Sequence, residues 1–362
     1  ISIKILKIFF CNMLLLNLLI SLFTASSFGN FNESNESIKL IAVGDMMIGT
    51  NFPSEKYLPQ DNGRKIFENV KSFIQNADIA FGNLEGTILS GEGEVKKCSD
   101  IKKCYAFKSP DSYVNIYRDT GFDILSLANN HINDFGEIGR KNTEYLLEKN
   151  GINYSGTTET PYSTFYKNNL KFGFVSFSPN KGTIQINNYN EAKRIIKLLN
   201  ENCDIVIVSF HGGGEGTAYS RVTREREYFL GEDRGNPYEF SRMAIDAGAD
   251  VVLGHGPHVL RAIDIYKDKF IAYSLGNFAT YARFNLKGIR GLSPLVEIEI
   301  DNDGNFLGGK IISAKQIGLG IPIIDSTHEA AKEIARLTKI DFPESKLKID
   351  FQGNISINPN SK

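Results

Sequence analysis

Apolar runs alternate with amphipathic stretches along most of this chain, which is the pattern of an α/β protein. Continuous runs rich in Val, Ile and Leu predict strands buried on both faces at 38–44, 78–82, 122–128, 170–177, 204–210 and 250–253. Amphipathic stretches predict helices near 64–76, 110–120, 136–150, 190–201 and 237–248. Further strands are predicted at 269–275, 294–300 and 306–316, with a hairpin turn at 301–305. Alternation followed by hairpins favours a mixed sheet, or two packed sheets, with helices outside.

The two ends of the chain differ from this central region. Lys4 and Lys7 precede an apolar run at 8–23, and small residues follow at 24–27. This pattern predicts a secretory signal peptide over residues 1–27, with a retained N-terminal membrane anchor as the alternative. The main domain is predicted over 37–325, and residues 326–362 are expected to form a peripheral helix and tail. We therefore expect an extracytoplasmic protein, whether periplasmic, secreted or at the cell surface.

Composition narrows the range of partners. The chain has 362 residues, and its 41% hydrophobic and 23% charged content is that of an ordinary globular protein. Its formal net charge of -1 gives no electrostatic reason to expect a nucleic-acid partner.

The positions of the cysteines are consistent with the predicted export. Cys98 and Cys104 flank a short polar loop, and an oxidising compartment would let them form a disulfide, although two free thiols remain the alternative. Cys203, at the start of a predicted strand, is expected to be a buried, reduced thiol.

Polar clusters follow the predicted strands, and they carry the candidate chemistry. There are five in chain order: Gly44-Asp45, Gly82-Asn83-Leu84-Glu85, Asn129-Asn130-His131, His211 followed by Gly-Gly-Gly-Glu215, and Gly254-His255-Gly256-Pro257-His258. Four of them close an apolar run, and ligands in open α/β sheets bind just beyond the carboxyl ends of strands. Carboxylate, amide and imidazole groups are ligands for divalent metals. The pattern predicts one metal site.

Each cluster also has a simpler explanation when taken alone. Asp45 is explained equally well as a turn cap, and Glu85 as a solvated loop residue. The amides and imidazole at 129–131 need partners, which backbone groups could supply. The order of the clusters and their repeated position at strand ends favour a shared site.

Taken together, these motifs and the segment Tyr273-Ser274-Leu275-Gly276-Asn277-Phe278 resemble the CapA family, the bacterial poly-γ-glutamate capsule synthesis proteins, over residues 38–316. The resemblance implies a calcineurin-like metallophosphatase fold, which is a four-layer αββα sandwich of two mixed sheets, and a dimetal-type site. The chain departs from a metallophosphatase at Met47, where His is expected, and at Asn83, where Asp is usual. Gly212 replaces the Trp that usually follows the family's His, and the spacing of His255 and His258 is one residue longer. One of the two metal positions is therefore in doubt.

The same resemblance implies roles for individual residues. The expected ligands of a divalent metal (Mn, Zn, Fe or Mg) are Asp45, Asn130, His211 and His255, with Glu85 as a ligand or a neighbouring carboxylate. His131 is expected to be the general acid, and His258 to complete the metal set or orient a reacting oxygen. Asn83 and Asn277 are expected to contact substrate, although Asn277 could instead cap a turn.

A charged excursion at 217–235 directly follows the His211 segment. Glu215, Arg221 and Arg224 are expected to bind substrate there, because guanidinium groups pair well with carboxylates and phosphates. A solvated loop whose charges neutralise one another is the alternative.

The sequence leaves two functions open. One is a hydrolase acting on an anionic envelope or capsule polymer; the other is a non-enzymatic polymer-binding component of a membrane-bound capsule synthesis or export complex.

Overall fold

The computed structural model describes residues 37–97 and 105–358. Their helices are α1 (Lys71–Gln75), α2 (Val114–Thr120), α3 (Gly136–Lys149), α4 (Tyr189–Asn200), α5 (Pro237–Asp246) and α6 (Glu329–Asp341). Their strands are β1 (Ile38–Met47), β2 (Ile79–Leu84), β3 (Thr87–Ile88), β4 (Lys108–Ser109), β5 (Ile124–Ser126), β6 (Asn153–Ser155), β7 (Tyr162–Lys167), β8 (Leu170–Phe177), β9 (Ile205–His211), β10 (Tyr228–Phe229), β11 (Glu232–Asp233), β12 (Val251–His255), β13 (Ile263–Tyr266), β14 (Lys269–Ala272), β15 (Asn277–Thr280), β16 (Leu295–Ile300), β17 (Phe306–Ile312), β18 (Ala314–Ile317), β19 (Ile321–Ile324), β20 (Leu347–Ile349) and β21 (Asn354–Ile357). The predicted signal peptide and the Cys98–Cys104 pair lie outside the described residues.

Most of these strands belong to two mixed sheets. The nine-stranded sheet has the order β20-β21-β17-β16-β1-β2-β5-β6, with β15 also paired to β1. The six-stranded sheet has the order β13-β14-β12-β9-β8-β7. Within the first sheet β1, β2, β5 and β6 run parallel, and within the second β8, β9, β12 and β14 do so. The carboxyl ends of each parallel set therefore lie along one edge of its sheet.

The two sheets pack face to face, and helices cover their outer faces. The core between the sheets joins Leu40 and Phe81 of the first sheet to Phe174 and Ile207 of the second. A separate core lies between the first sheet and α2, and a third between the second sheet and α4 and α5. These layers confirm the predicted four-layer αββα sandwich of two mixed sheets.

Local sequence explains how the outer helices form. Helix α4 buries Ala192, Ile195, Ile196 and Leu199, whose spacing places them on one face of a helix. Asn188 caps this helix by accepting a hydrogen bond from the Glu191 amide at 3.2 Å. Helix α5 begins in the same way, with Asn236 as cap and Pro237 at the first helical position.

Several elements differ from those predicted. The segment near 64–76 is mostly turns and is helical only in α1. The short strands β7, β13 and β15 have no counterpart among the predicted elements. Cys203 is a free thiol, as expected, and is half-buried. Within the described residues, the helices are all too short or too polar to span a bilayer.

The C-terminal residues differ from the expected peripheral helix and tail. Ala330, Ala331 and Ile334 of α6 belong to the core between the two sheets. Strand β21 pairs with β17, and β20 pairs with β21, so the last described residues extend the nine-stranded sheet. The buried face of α6 includes two alanines, whose small side chains allow the helix to lie close to the sheets. Because most of this segment is polar, its sequence does not indicate this packing.

Candidate metal centre

Strand register brings the predicted site residues together. In the first sheet Asp45 of β1 lies opposite Asn83 of β2 and Asn277 of β15. In the second sheet His255 of β12 lies opposite His211 of β9. Because the strand pairs are parallel, all these side chains reach the same edge of the sandwich. The structure thus confirms the convergence that the strand-end pattern predicted.

Asp45 is the common partner of the side chains from the two sheets. Its Oδ1 accepts a hydrogen bond from Asn83 Nδ2 at 2.8 Å and lies 3.1 Å from His255 Nδ1. Its Oδ2 lies 2.9 Å from His258 Nδ1. Burial alone would raise the pKa of Asp45, but the hydrogen bonds to His255 and His258 hold it well below its ordinary value. Asp45 is therefore ionised at neutral pH.

His258 pairs with this carboxylate. Burial lowers the pKa of His258, but the neighbouring Glu85 and Asp45 carboxyl groups outweigh this effect and raise it to about 10 when no cation is bound. A φ of 55° holds its backbone in the left-handed region, which is uncommon for residues other than glycine. Backbone strain of this kind is often found at functional sites. Asn277 Oδ1 lies 3.1 Å from the same ring nitrogen and fixes its direction.

Gly256 permits the two histidine loops of the second sheet to approach each other. It has a φ of 115°, and a Cβ there would lie 2.6 Å from the carbonyl oxygen of Gly212. The Gly212 amide donates a hydrogen bond to the His255 carbonyl at 2.8 Å. A side chain at position 256 would separate the loops that carry His211 and His255.

Several ligand-type atoms in this cluster are buried without a hydrogen-bond partner among the described residues. They are both carboxylate oxygens of Glu85, Oδ1 of Asn130, and Nε2 of His211 and of His255. Burial raises the pKa of Glu85 well above its ordinary value and lowers the pKa of His211 well below its own. Buried polar groups are normally paired, because an unpaired one costs about 1–3 kcal/mol. The ring nitrogens nearest to Glu85 Oε1 are His258 Nε2 at 3.5 Å and His131 Nε2 at 3.7 Å, and neither forms a hydrogen bond with it. A cation bound among these atoms would accept their lone pairs.

The donor set fits a divalent metal. One ligand atom from each of Asp45, Glu85 and His258 lies within 4.8 Å of the others. His255 contacts Asp45, His211 contacts Asn83, and Asn130 lines the same cavity as His258, so their unpaired atoms supply further imidazole and amide donors around this set. Four of the five predicted ligands thus present an unpaired donor, and the fifth, Asp45, is the ionised carboxylate between them.

His131 lies beside this cluster and is held by a buried carboxylate. Its Nδ1 lies 2.7 Å from Asp134 Oδ2, and its Nε2 lies 3.7 Å from Glu85 Oε1. Asp134 is itself fixed by the Phe107 amide at 2.8 Å and by Lys96 Nζ at 2.6 Å. Burial lowers the pKa of His131, and the Asp134 charge opposes this change. The arrangement fixes the direction of the ring and turns Nε2 towards Glu85.

A cavity of about 930 Å³ opens above the cluster. His131, His258 and Asn130 line its floor, so the metal-type cluster is accessible from it. Basic and acidic side chains line the remaining wall: Lys96, Lys97, Arg234, Arg283, Glu215 and Glu232. The aromatic and apolar side chains of Tyr105, Phe107, Phe229, Leu230 and Phe284 and the amides of Asn180 and Asn285 complete it. The wall is mixed, with more cationic than anionic side chains.

The amides of Asn83 and Asn277, two predicted substrate contacts, form hydrogen bonds within the protein. Asn83 is fully buried, with Nδ2 on Asp45 and Oδ1 accepting from Asn129 Nδ2 at 3.2 Å. Asn277 Nδ2 donates to the carbonyls of His258 and Arg290. Both amides are used within the protein and position the ligand-type side chains.

Arg221 and Arg224, which were predicted to bind substrate, form ion pairs away from the cavity. Arg221 forms an ion pair with Asp341 at the end of α6, and Arg224 forms one with Glu344. The Arg224 guanidinium also lies over the Tyr238 ring at 5.0 Å. Neither arginine lines the cavity. Their acidic partners lie more than 100 residues away in sequence, so the local charge pattern could not reveal them.

Glu215 does line the cavity. Two further residues of the site, Asp134 behind His131 and Arg234 in the cavity wall, were not predicted from the sequence. Asp134 follows His131 by three residues, in His-Ile-Asn-Asp, and this spacing is the available signal. Arg234 is one of several arginines in the excursion. Its position just before Gly235 and a predicted helix gives no sign that it is buried at the site.

The family comparison agrees with this geometry. A family model described as "Bacterial capsule synthesis protein PGA_cap" matches residues 39–282, which include every ligand-type side chain of the cluster. The chain belongs to the PGA_cap family. The predicted resemblance to CapA proteins is thereby confirmed.

Two relatives of this PGA_cap protein are CapA proteins. The "Capsule biosynthesis protein CapA" of Bacillus anthracis is 28% identical over 266 residues, covering 68% of this chain and 61% of that protein. The "PGA biosynthesis protein CapA" of Bacillus subtilis (strain 168) is 30% identical over 268 residues, covering 68% and 64%. The chain thus spans just under two thirds of the length of these relatives.

Solved structures show a more distant likeness. A hypothetical protein from Thermus thermophilus has a TM-score of 0.48 at 14% identity, covering 77% of this chain and 100% of that one. A 5'-nucleotidase precursor from the same organism has a TM-score of 0.40 at 12% identity, covering 79% and 55%. Similarity at this distance carries no information about activity.

Proposed function

We propose that this PGA_cap protein is a divalent-metal-dependent hydrolase that acts outside the cytoplasm on an anionic envelope or capsule polymer, at a phosphoester or related bond. The observation that carries the proposal is the set of unpaired buried donors on Glu85, Asn130, His211 and His255 around the ionised Asp45. A site that only bound polymer would have no need for buried, unpaired metal-type donors beneath its cavity. Roughly one tightly held metal ion is expected, since Met47 replaces one histidine ligand.

Residues of the chain would hold the metal ion and supply the proton. A bound divalent cation supplies charge stabilisation at the scissile group and lowers the pKa of bound water. Asp45, Glu85, Asn130, His211 and His255 would hold it. His131, on the cavity floor, would donate a proton to the leaving group from Nε2, while Asp134 on Nδ1 keeps the ring in the required orientation.

The charge of the cavity supports an anionic substrate. Four cationic side chains line its wall, compared with the two carboxylates of Glu215 and Glu232. The aromatic groups of Phe107 and Phe284, which stack with centroids 5.4 Å apart, offer an apolar face beside these charges. An elongated polymer with repeated negative charges and an apolar backbone fits such a wall.

Metal analysis of protein purified without chelators, paired with turnover of bis(p-nitrophenyl) phosphate, tests the proposal. We expect about one equivalent of a transition metal and phosphodiester hydrolysis that EDTA abolishes and metal restores. The Asp45→Ala variant should lack both. Polymer binding by a protein that neither retains metal nor hydrolyses the phosphodiester would instead support a non-enzymatic component of a capsule assembly complex.

A further inference from the structure

Two buried arginines lie in or beside the excursion that follows His211, and their environments differ. Arg261 has no exposed surface, and its two terminal nitrogens donate to the two oxygens of Glu227 at 2.8 and 2.7 Å. This is the bidentate geometry that satisfies a guanidinium. Arg234 is only 2% exposed, yet no carboxylate among the described residues faces it in this way.

The Arg261–Glu227 pair fixes the loop that carries Glu215. Glu227 Oε2 also accepts a hydrogen bond from the Gly214 amide at 2.8 Å, and the Gly216 amide donates to Pro257 at 2.9 Å. The backbone on both sides of Glu215 is therefore held in place. The Glu215 carboxylate, in contrast, is partly exposed and faces the cavity.

Arg234 is fixed at its base and poorly paired at its tip. Its Nε donates to the Gly213 carbonyl at 3.2 Å, which sets the direction of the guanidinium. Nη2 lies 3.2 Å from Glu215 Oε1, but the geometry gives no hydrogen bond, and this nitrogen is buried without one in the described part of the chain. Nη1 lies 3.5 Å from Glu232, whose side chain is largely exposed. Both ion pairs are weaker than that of Arg261.

A buried guanidinium with incomplete pairing is costly unless another anion completes it. Arg234 lines the same cavity as His131 and His258, so an anion that enters above the metal-type cluster reaches this wall. We propose that Arg234 is the receptor for an anionic group of the substrate, and that Glu215 occupies it in the free protein and is displaced when substrate binds. The assignment to substrate rests on the proposed function.

The chemistry of the site defines the class of ligand. With Nε fixed, the two Nη atoms of the guanidinium can donate hydrogen bonds to two oxygens of one planar or tetrahedral oxyanion, so the ligand group is a carboxylate or a phosphate. A substrate with such a group next to its scissile bond would pair with Arg234 while that bond lies at His131. A neutral polymer would not displace Glu215, and Arg234 would not increase its affinity.

Opposite effects of two substitutions test this assignment. The affinity of the full chain for two probes would be measured by calorimetry with and without Mn²⁺. The probes are a γ-linked glutamate trimer, which presents carboxylates, and glycerol phosphate, which presents a phosphate. Arg234→Met should weaken binding of the preferred probe about 10- to 100-fold, as expected for the loss of hydrogen bonds to a charged group. Glu215→Gln should tighten it by about 3- to 10-fold, because the internal competitor loses its charge.

Matched controls make the result decisive. Glu225→Gln, at an exposed carboxylate that does not line the cavity, should change the affinity less than twofold. A γ-glutamate trimer with its α-carboxylates amidated should bind equally weakly to all variants. In the Arg234→Met background, Glu215→Gln should lose its effect. Weaker or unchanged binding in Glu215→Gln, which retains Arg234 and its fold, would overturn the assignment even where Arg234→Met does not fold.

The binding result is separable from the proposed hydrolysis. Opposite effects of the two substitutions on binding, in a protein that turns over no phosphodiester, would uphold the anion receptor and refute the hydrolase. Metal-dependent turnover with no change in affinity for either variant would uphold the hydrolase and refute the receptor.

Discussion

The parallel strands carry acidic side chains at both ends, but the two ends use them differently. At the amino ends, Asp78, Asp123, Asp204 and Asp250 each precede a strand, and each carboxylate accepts a hydrogen bond from a backbone amide of the adjacent strand at 2.7–2.8 Å. The backbone amide of the same aspartate donates in return to that residue's carbonyl. At the carboxyl ends, Glu85 is more deeply buried and has no hydrogen bond from the described residues.

The contrast separates structural acids from functional ones. An aspartate that pairs with the neighbouring backbone satisfies an otherwise unpaired amide and aligns two strands. A buried carboxylate without such partners lowers stability unless a ligand supplies them. The identity of a polar residue at a strand end is therefore less informative than whether its buried atoms have partners.

The largest expected effect is at the carboxyl edge. His211→Ala or His255→Ala should remove the metal and reduce phosphodiester turnover to the background rate, because each removes a buried imidazole of the ligand cluster. Atomic absorption on purified protein and turnover assays on the same sample check both. Asp250→Ala at the opposite edge is the matched control and should retain full metal. Loss of metal in that control would show that the two edges are not independent.

His131→Asn should separate catalysis from metal binding. We expect metal content to remain at the wild-type level while turnover falls by about 10²–10⁴-fold, since a general acid is lost and no proposed ligand is removed. The deficit should be larger with poor leaving groups than with p-nitrophenol, because a poor leaving group needs the proton more. Equal deficits for both substrates would contradict the acid role.

Asp250→Ala should lower stability without affecting the site. The substitution leaves the buried Val206 amide unpaired and removes the ion pair with Lys269 at 2.7 Å. We expect the free energy of unfolding to fall by about 1–3 kcal/mol in urea denaturation. A stability equal to that of the wild type would mean that the pairing at the amino edge is not a stabilising feature.

Glu85→Gln should change how the metal-free protein responds to pH. Burial raises the pKa of Glu85 in the folded state above its ordinary value of 4.5, so the folded protein retains a proton that the unfolded chain releases. Stability therefore falls as the pH rises above about 4.5, and it falls less in the variant. Urea denaturation in EDTA between pH 4.5 and 7 measures the difference. Parallel pH profiles for the two proteins would contradict the raised pKa.

The sequence predicted the convergence of the site because parallel strands align their ends, and four of the polar clusters close an apolar run. It predicted β8 and α4 to within a residue, since those segments have long, regular patterns. It did not predict the packing of α6, which depends on two alanines in a polar segment. The sequence also did not predict which arginines form ion pairs and with which partners. Arg221 pairs with Asp341, while Arg234 lies beside Glu215 at the cavity.

The most direct test of the central claim is anomalous X-ray diffraction from crystals of the full chain grown with Mn²⁺. We expect one strong anomalous peak within coordinating distance of Asp45, His211 and His255, with Glu85 or Asn130 completing the set. The amino-edge aspartates should show none. An absent peak at the carboxyl edge under saturating Mn²⁺, or a peak only at the amino edge, would contradict the assignment of this cluster as a metal centre.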